Sequence, residues 1–162
     1  MSSSSNGLSL YDETQMPNIQ GWKFGICVSE WNSEITNSLY MGCINTLVKH
    51  GASLEDILTY QVPGSFELPV GAKLLSKKKE IDAVICLGCL IKGDTAHDEY
   101  IASAVAQGLT QVSILCDIPC IFGVLTVLNE QQAMDRSGGK YGNKGVEAAV
   151  TAIKMAALKR LS

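Results

Sequence analysis

Apolar positions along this chain follow two rhythms that take turns. Short, nearly continuous apolar runs at 22–28, 57–62, 83–87 and 118–126 have the length and content of buried strands. Between them lie longer segments with apolar residues three or four apart, the spacing of an amphipathic helix. After the first run, Ile35, Leu39, Cys43, Leu47 and Val48 share one face of a helix that Ser33 can cap and Gly51 ends. The second run stops at Pro63-Gly64, and a helix over 66–76 follows, with Pro69 tolerated only in its first turn. Beyond the third run, Ile101, Ala104, Val105, Gly108, Leu109 and Val112 fall on one face. Thr95 and Asp98 have the spacing of a capping box there, which predicts a helix start near Asp94 or Thr95. The fourth run carries Pro119 at its first residues, where a ladder donor is least needed. A short helix over 129–137, a glycine-rich stretch over 138–145 and a last helix over 146–159 complete the pattern. Val146, Ala149, Val150, Ile153 and Leu158 form that last helix's buried side.

Strand followed by helix, four times over, requires crossover connections and hence parallel strands with helices on both faces. The expected fold class is therefore α/β, a three-layer αβα sandwich. Residues 1–20 are polar and rich in serine at their start, so they read as a flexible N-terminal segment, mobile or draped over a neighbour. Residues 21–162 form a single domain.

Composition adjusts this picture in three places. A chain of 162 residues buries about 70% of its unfolded surface and needs neither disulfide nor metal to hold it. Only 18% of residues are charged where about 25% is usual, which leans toward a surface partly covered by other subunits. The net charge of −3, with Lys77-Lys78-Lys79 the one basic run, argues against nucleic acid as a partner. Neither a membrane span nor a signal peptide is visible, so the expected setting is the cytoplasm, or an organelle's stroma if a transit peptide has been removed.

Six cysteines stand at 27, 43, 86, 89, 116 and 120. Cys86-x-x-Cys89 with Cys116-x-x-x-Cys120 imitates a zinc site, but residues three apart on a strand point to opposite faces. Small apolar packing residues, kept reduced, are the better reading.

Ligands of open parallel sheets bind outside the carboxyl ends of the strands. Here that rule gathers four loops. The first holds Trp31, an aromatic face; the second, Val62-Pro63-Gly64-Ser65-Phe66-Glu67, ends on an acceptor for hydroxyls. The third, Lys92-Gly93-Asp94-Thr95-Ala96-His97, offers free N–H groups at a helix N-terminus, suited to an anion, and a histidine able to act as a base. The fourth is Thr126-Val127-Leu128-Asn129. Taken alone, Trp31 can be packing, Glu67 a first-turn charge, and Thr95, His97 and Asp98 an ordinary helix start; their convergence at one edge makes the functional reading competitive. Arg136 and Lys144 are the remaining basic candidates, on a glycine-rich loop that need not reach this edge within one chain. His50 reads as a helix-end residue interacting with the dipole.

Four blocks in order carry a resemblance. Val62-Pro63-Gly64-Ser65-Phe66-Glu67-Leu68-Pro69, the stretch from Gly88 to His97, Cys120-Ile121-Phe122-Gly123-Val124-Leu125-Thr126, and the tail through Asp135-Arg136 and Gly142-Asn143-Lys144-Gly145 together resemble the 6,7-dimethyl-8-ribityllumazine synthase family. The resemblance spans residues 22–160. It implies a flavodoxin-like sheet of four parallel strands in the order 2-1-3-4. It also implies the penultimate step of riboflavin biosynthesis. In that step 5-amino-6-(D-ribitylamino)uracil condenses with 3,4-dihydroxy-2-butanone 4-phosphate, releasing phosphate and water, with no metal or organic cofactor. The implied partners are the small-molecule substrates, further copies of the chain in a homopentamer that many members build into a sixty-subunit icosahedral shell, and riboflavin synthase.

Position by position, the resemblance assigns Trp31 to stacking on the pyrimidine ring. Ser65, Phe66 and Glu67 hold the ribityl chain and ring, and the backbone of Leu90 and Ile91 reads the heterocycle edge. Gly93, Asp94 and Thr95 form the phosphate loop, with His97 as the proton-transfer residue. Phe122, Arg136 and Lys144 come from a neighbouring subunit: Phe122 lines the ring pocket, Arg136 binds phosphate, and Lys144 lies near the ribityl chain. Lys92, Asp94 and Asp135 depart from the commonest residues at their positions without removing a catalytic group. The tail lacks the insertion of strictly pentameric members, which favours a shell. The alternative is a non-catalytic flavin- or lumazine-binding or shell-forming homologue. A flavodoxin-like electron carrier fits the strand order but needs a hydroxyl-rich loop after the first strand, which is missing.

Overall fold

Four parallel strands, β1 (Lys23–Ser29), β2 (Ile57–Val62), β3 (Ile81–Ile91) and β4 (Cys120–Val127), form the central sheet of the computed structural model, which describes residues 9–162. Their order is β2-β1-β3-β4, as the resemblance implied. Five helices connect and flank them: α1 (Ser33–Lys49), α2 (Leu68–Ser76), α3 (His97–Cys116), α4 (Glu130–Arg136) and α5 (Lys144–Leu161). The strand alternation sorts the core into two layers. Ile26, Val28, Ala83, Ile85 and Leu87 pack with Leu39, Leu47 and Ile153 under α1 and α5. Cys27, Val84, Cys86 and Val124 pack with Leu68, Leu75, Val105 and Leu109 under α2 and α3. Because β1 and β3 are covered on both faces, almost every residue in them is apolar. Each large aliphatic side chain so buried contributes about 1.5–3 kcal/mol.

α1 and α5 approach closely, and the sequence shows why. The buried face of α5 is made of Gly145, Ala148, Ala149, Ala152 and Ala156 with Ile153. At Gly145 even a methyl group is excluded, since a Cβ there would sit 1.8 Å from the carbonyl oxygen of Leu39. Asn143 fixes the register of this contact. Its Oδ1 caps α5 by accepting from the backbone N–H of Gly145 at 2.7 Å, while its Nδ2 donates to Ser38 O on α1 at 3.1 Å.

Several boundaries differ from those read off the sequence, each for a local reason. α3 begins at His97, not at Asp94 or Thr95, because the capping box does not form: the helix has no side-chain cap, and Thr95 Oγ1 meets only His97 N, at 3.4 Å. Ala104 is exposed, so it leaves the buried face. β3 continues past the apolar run at 83–87 to Ile91, and Gly88 is needed within it, where a Cβ would lie 2.4 Å from Ser65 Oγ. The helix expected over 66–76 is split into a 3-10 turn, Ser65–Glu67, and α2. α5 starts at Lys144 because Asn143 caps it, and Leu158 is exposed. Within the glycine-rich stretch, Ser137–Gly139 (β5) and Gly142–Asn143 (β6) pair as a small antiparallel hairpin. Its turn uses Gly142 at φ +84°, open only to a residue without a side chain.

Residues 1–8 lie outside the described residues; 9–20 run along the chain's own body. Ile19 is fully buried, Ser9 Oγ accepts from Asn143 N at 2.6 Å, and Tyr11 OH shares a 2.7 Å hydrogen bond with His50 Nε2. His50, at the C-cap of α1, is thus held by the N-terminal segment. Burial, and then the charge of Lys49, pull its pKa down, opposite to the effect of a helix C-terminus.

All six cysteines are free, and no cluster of His, Cys, Asp and Glu fit for a metal occurs among the described residues. Burial pushes Cys27 up to about 12 and Cys89 and Cys120 up to about 11, with Cys43 and Cys86 also raised.

Two measurements test this packing. Gly145→Ala must separate α1 from α5, so urea unfolding is expected to show a loss of about 1–3 kcal/mol or more; an unchanged midpoint would contradict the close approach. Thiols with raised folded pKa values stabilise the fold fully below their ordinary value near about 8.5, and that contribution declines as pH rises toward the folded values. Stability should therefore fall above about pH 8.5. At pH 8 a disulfide reagent should leave Cys27, Cys43 and Cys86 unmodified until urea is added. Rapid labelling of all six in the folded protein would contradict it.

Candidate active site

The carboxyl edge of the sheet is where the chain stops satisfying its own backbone. β3 pairs with β1 only as far as Leu87, opposite Val28, whereas its pairing with β4 continues to Ile91 and Val127. The β1-facing side of 88–91 thus meets no strand. One group there is taken by Asn32, whose Nδ2 donates to Cys89 O at 3.0 Å. Asn32 reaches it from a left-handed turn, φ +59°, a conformation asparagine tolerates better than most residues. The same loop is tied to the end of β2: Glu30 N donates to Val62 O at 2.8 Å and Trp31 N to Pro63 O at 3.1 Å.

These ties leave a hollow of about 320 Å³ beside the overhang of β3. Trp31, Ser65, Leu90, Ile91, Gly93, Thr95 and His97, all read from the sequence as site residues, line it. Trp31 is held against Gly64, where a Cβ would come within 2.9 Å of its ring, yet the residue is 67% exposed. An indole this exposed presents an open aromatic face to a planar ligand. Asn32, Cys89, Asp98 and Ile101 also line the hollow. Asp98 was visible in the sequence only as a presumed cap.

The polar walls are underfilled. Ser29 Oγ, Ser65 Oγ and Asp98 Oδ1 are buried side-chain oxygens with no hydrogen-bond partner among the described residues. All three lie at this edge, and those of Ser65 and Asp98 belong to residues of the hollow itself. Leaving such groups unmet costs about 1–3 kcal/mol each, a strain concentrated at this edge of the sheet.

Other expected site residues stand elsewhere within the chain. Glu67 lies behind Gly64, its Oε2 accepting that residue's N–H at 3.0 Å. Phe66 is 60% exposed, and Phe122, on the outer strand β4, is 38% exposed. Neither lines the hollow, nor does Asp94, an exposed loop residue. Arg136 ends α4, donating to Gln132 O at 3.1 Å with its guanidinium 4.8 Å from the centre of the Tyr141 ring. Lys144 pairs with Glu147 at 3.1 Å. No lysine or arginine is among the described residues that line the hollow, which offers an anion backbone N–H groups, the Ser65 and Thr95 side chains and His97.

A larger hollow, about 510 Å³, lies at the opposite edge around Pro119. Ile114, Ile118, Met155 and Leu158 give it mainly apolar walls, and no loop from a strand's carboxyl end reaches it.

Residues 21–160 match the family described as 6,7-dimethyl-8-ribityllumazine synthase. A protein of that name from Parabacteroides distasonis is 53% identical over 96% of this chain and 97% of its own length. One from Cytophaga hutchinsonii is 52% identical, covering 97% of this chain and 98% of its own. Another, from Porphyromonas gingivalis, is 47% identical over 99% of this chain and 100% of its own. With the sheet order, the aromatic-walled hollow and these matches along nearly the whole chain, the protein belongs to the 6,7-dimethyl-8-ribityllumazine synthase family.

Proposed function

We propose that the family's condensation takes place in the hollow between Trp31 and His97, completed by Phe122, Arg136 and Lys144 from a second copy of the chain. The reaction joins 5-amino-6-(D-ribitylamino)uracil to 3,4-dihydroxy-2-butanone 4-phosphate in riboflavin biosynthesis. What carries the shared-site reading is the charge of the hollow: a phosphorylated substrate needs a cation, and the lining residues of one chain supply none. Arg136, at the end of a short helix and half-buried against Tyr141, is presented as a preformed fork for phosphate.

In this reading the pyrimidine ring stacks on Trp31 and lays its polar edge along the unpaired backbone of 88–91. Ser65 meets the ribityl chain from inside the hollow, Phe66 and Phe122 close over the ring, and Glu67 with the neighbour's Lys144 holds the outer hydroxyls. Gly93, Asp94 and Thr95 receive the phosphate through their backbone and the Thr95 hydroxyl, ahead of the free N–H groups of α3. The carboxylate of Asp94 faces away from it.

The 5-amino group attacks the ketone, and loss of water gives the imine. His97 takes and returns protons as that adduct forms and as the carbon acid is deprotonated. Phosphate then departs by elimination, its charge held by Arg136 and the start of α3. Ring closure expels a second water. Orientation of two substrates supplies much of the rate, so no strongly shifted nucleophile is needed.

Assembly into a ring fits the uncovered apolar residues, Val70, Leu74, Ile114, Leu115 and Leu128 among them. A closed shell of such rings needs a second interface, since the first is used up within each ring. No described helix is long and apolar enough to cross a membrane, and six unpaired thiols suit a reducing cytoplasm.

Mixing the protein with both substrates should produce lumazine absorbance and stoichiometric phosphate faster than the uncatalysed background; equality with background would end the enzymatic reading. His97→Ala is expected to lower kcat by roughly ten- to a hundredfold with KM values near the original, since general acid–base help is one contribution beside positioning. Arg136→Ala should raise KM for the butanone phosphate by about ten- to a hundredfold, the worth of charge-assisted hydrogen bonds. Unchanged constants in either variant would remove that residue from the mechanism.

A further inference from the structure

Trp31 is aimed by its backbone more than by packing. An indole 67% exposed is little constrained by its neighbours, so the chain beneath it must set where the ring stands. That chain is pinned at three successive residues. Glu30 and Trp31 donate their N–H groups to the end of β2, and Asn32 reaches the other way, its Nδ2 donating to Cys89 O at 3.0 Å. A carbonyl only accepts, so the amide nitrogen and not its oxygen must face Cys89. Asn32 gives up two ordinary preferences to make this bond. It is the N-cap of α1, where an asparagine side chain normally accepts from the helix's own N–H groups, yet it makes no such bond. Its backbone is left-handed, φ +59° and ψ +48°, where an N-cap is normally extended. The helix keeps only the Asn32 carbonyl, which accepts from the N–H groups of Ile35 and Thr36, each at 3.0 Å. The side chain is thus turned away from its own helix and toward the overhang of β3.

We infer that Asn32 is a positioning residue: by tying the loop after β1 to Cys89 O, it sets where the Trp31 ring stands relative to the free backbone of 88–91. This rests on the reaction assigned above, in which the pyrimidine stacks on that ring and lays its polar edge along that backbone. The two surfaces belong to different elements, one to the loop after β1 and one to β3, and β1 no longer pairs with β3 beyond Leu87. Past that point the Asn32 amide joins them directly. A planar ligand gripped by both surfaces depends on this clamp. The butanone phosphate, received by the loop over 93–95 and the neighbour's Arg136, does not.

Asn32→Gly removes the amide while allowing the left-handed backbone, and it takes no side-chain capping bond from α1. Asn32→Asp keeps the shape but sets an acceptor against the Cys89 carbonyl. Steady-state kinetics should show KM for the ribitylaminopyrimidine raised about tenfold in Asn32→Gly and at least as much in Asn32→Asp, with kcat lowered by a smaller factor. KM for the butanone phosphate should hold. A double-mutant cycle shows whether the effect runs through the indole. In a Trp31→Ala background Asn32→Gly should add little, since no ring remains to be aimed. Both KM values unchanged, a rise in both alike, or losses that simply add in the double variant would overturn the assignment. So would a lowered thermal midpoint with both KM values intact, the mark of a purely structural tie. Failure of the underlying reaction would look different: the unaltered protein would itself make no product.

Discussion

β3 is the strand on which fold and site both depend. A central parallel strand must pair its backbone on two sides, and β3 does so only from Val84, where β4 joins at Cys120, to Leu87, opposite Val28 near the end of β1. Beyond Leu87 it stays in the sheet through β4 alone. Burial of the strand's apolar side chains on both faces holds it rigid, so the uncovered stretch is a fixed row of polar groups. An edge so exposed must be answered by something, and among the described residues the Asn32 amide answers it at Cys89 O. The glycine at 88 belongs to the same device: without a Cβ, the Ser65 and Ser29 hydroxyls can close over the strand.

Around that edge the chain builds half of a binding site. It has the aromatic face, the helix start and the histidine, and it lacks a cation. Arg136 and Lys144 are carried by the α4–hairpin–α5 region, which the sheet order sets beside α1 and away from the hollow in the same subunit. The ring proposed above, each copy presenting its hollow to the next copy's basic edge, would reconcile these facts as a heterologous contact that closes on itself.

Much of this was legible in the sequence because it rests on local rules. Four apolar runs separated by helical spacing gave the parallel sheet, and the position of binding loops in such sheets brought Trp31, Ser65 and His97 to one edge before any geometry was known. Features that depend on what faces what were not legible. Thr95 and Asp98 have the spacing of a cap, but spacing does not say that Asp98 turns inward. Gly88 ends up inside the strand, beyond the apolar run at 83–87, where it allows a close approach that no sequence pattern announces. Glu67 looks like a free acceptor until Gly64 is seen to occupy one of its oxygens. Asn143 gives no sign in the sequence that it ties α5 to α1.

The central claim, that each site takes His97 from one copy and Arg136 from another, is tested most directly by complementation. His97→Ala and Arg136→Ala chains, each slowed by roughly ten- to a hundredfold when the butanone phosphate is held well below its KM, would be unfolded, mixed in equal amounts and refolded together. Random mixing across a heterologous interface leaves about a quarter of the sites with both residues intact. Turnover of the mixture should therefore recover to about that fraction of the unaltered protein's rate, while each variant refolded by itself stays at its own lowered rate. A mixture no more active than the average of its two components would contradict a site shared between subunits.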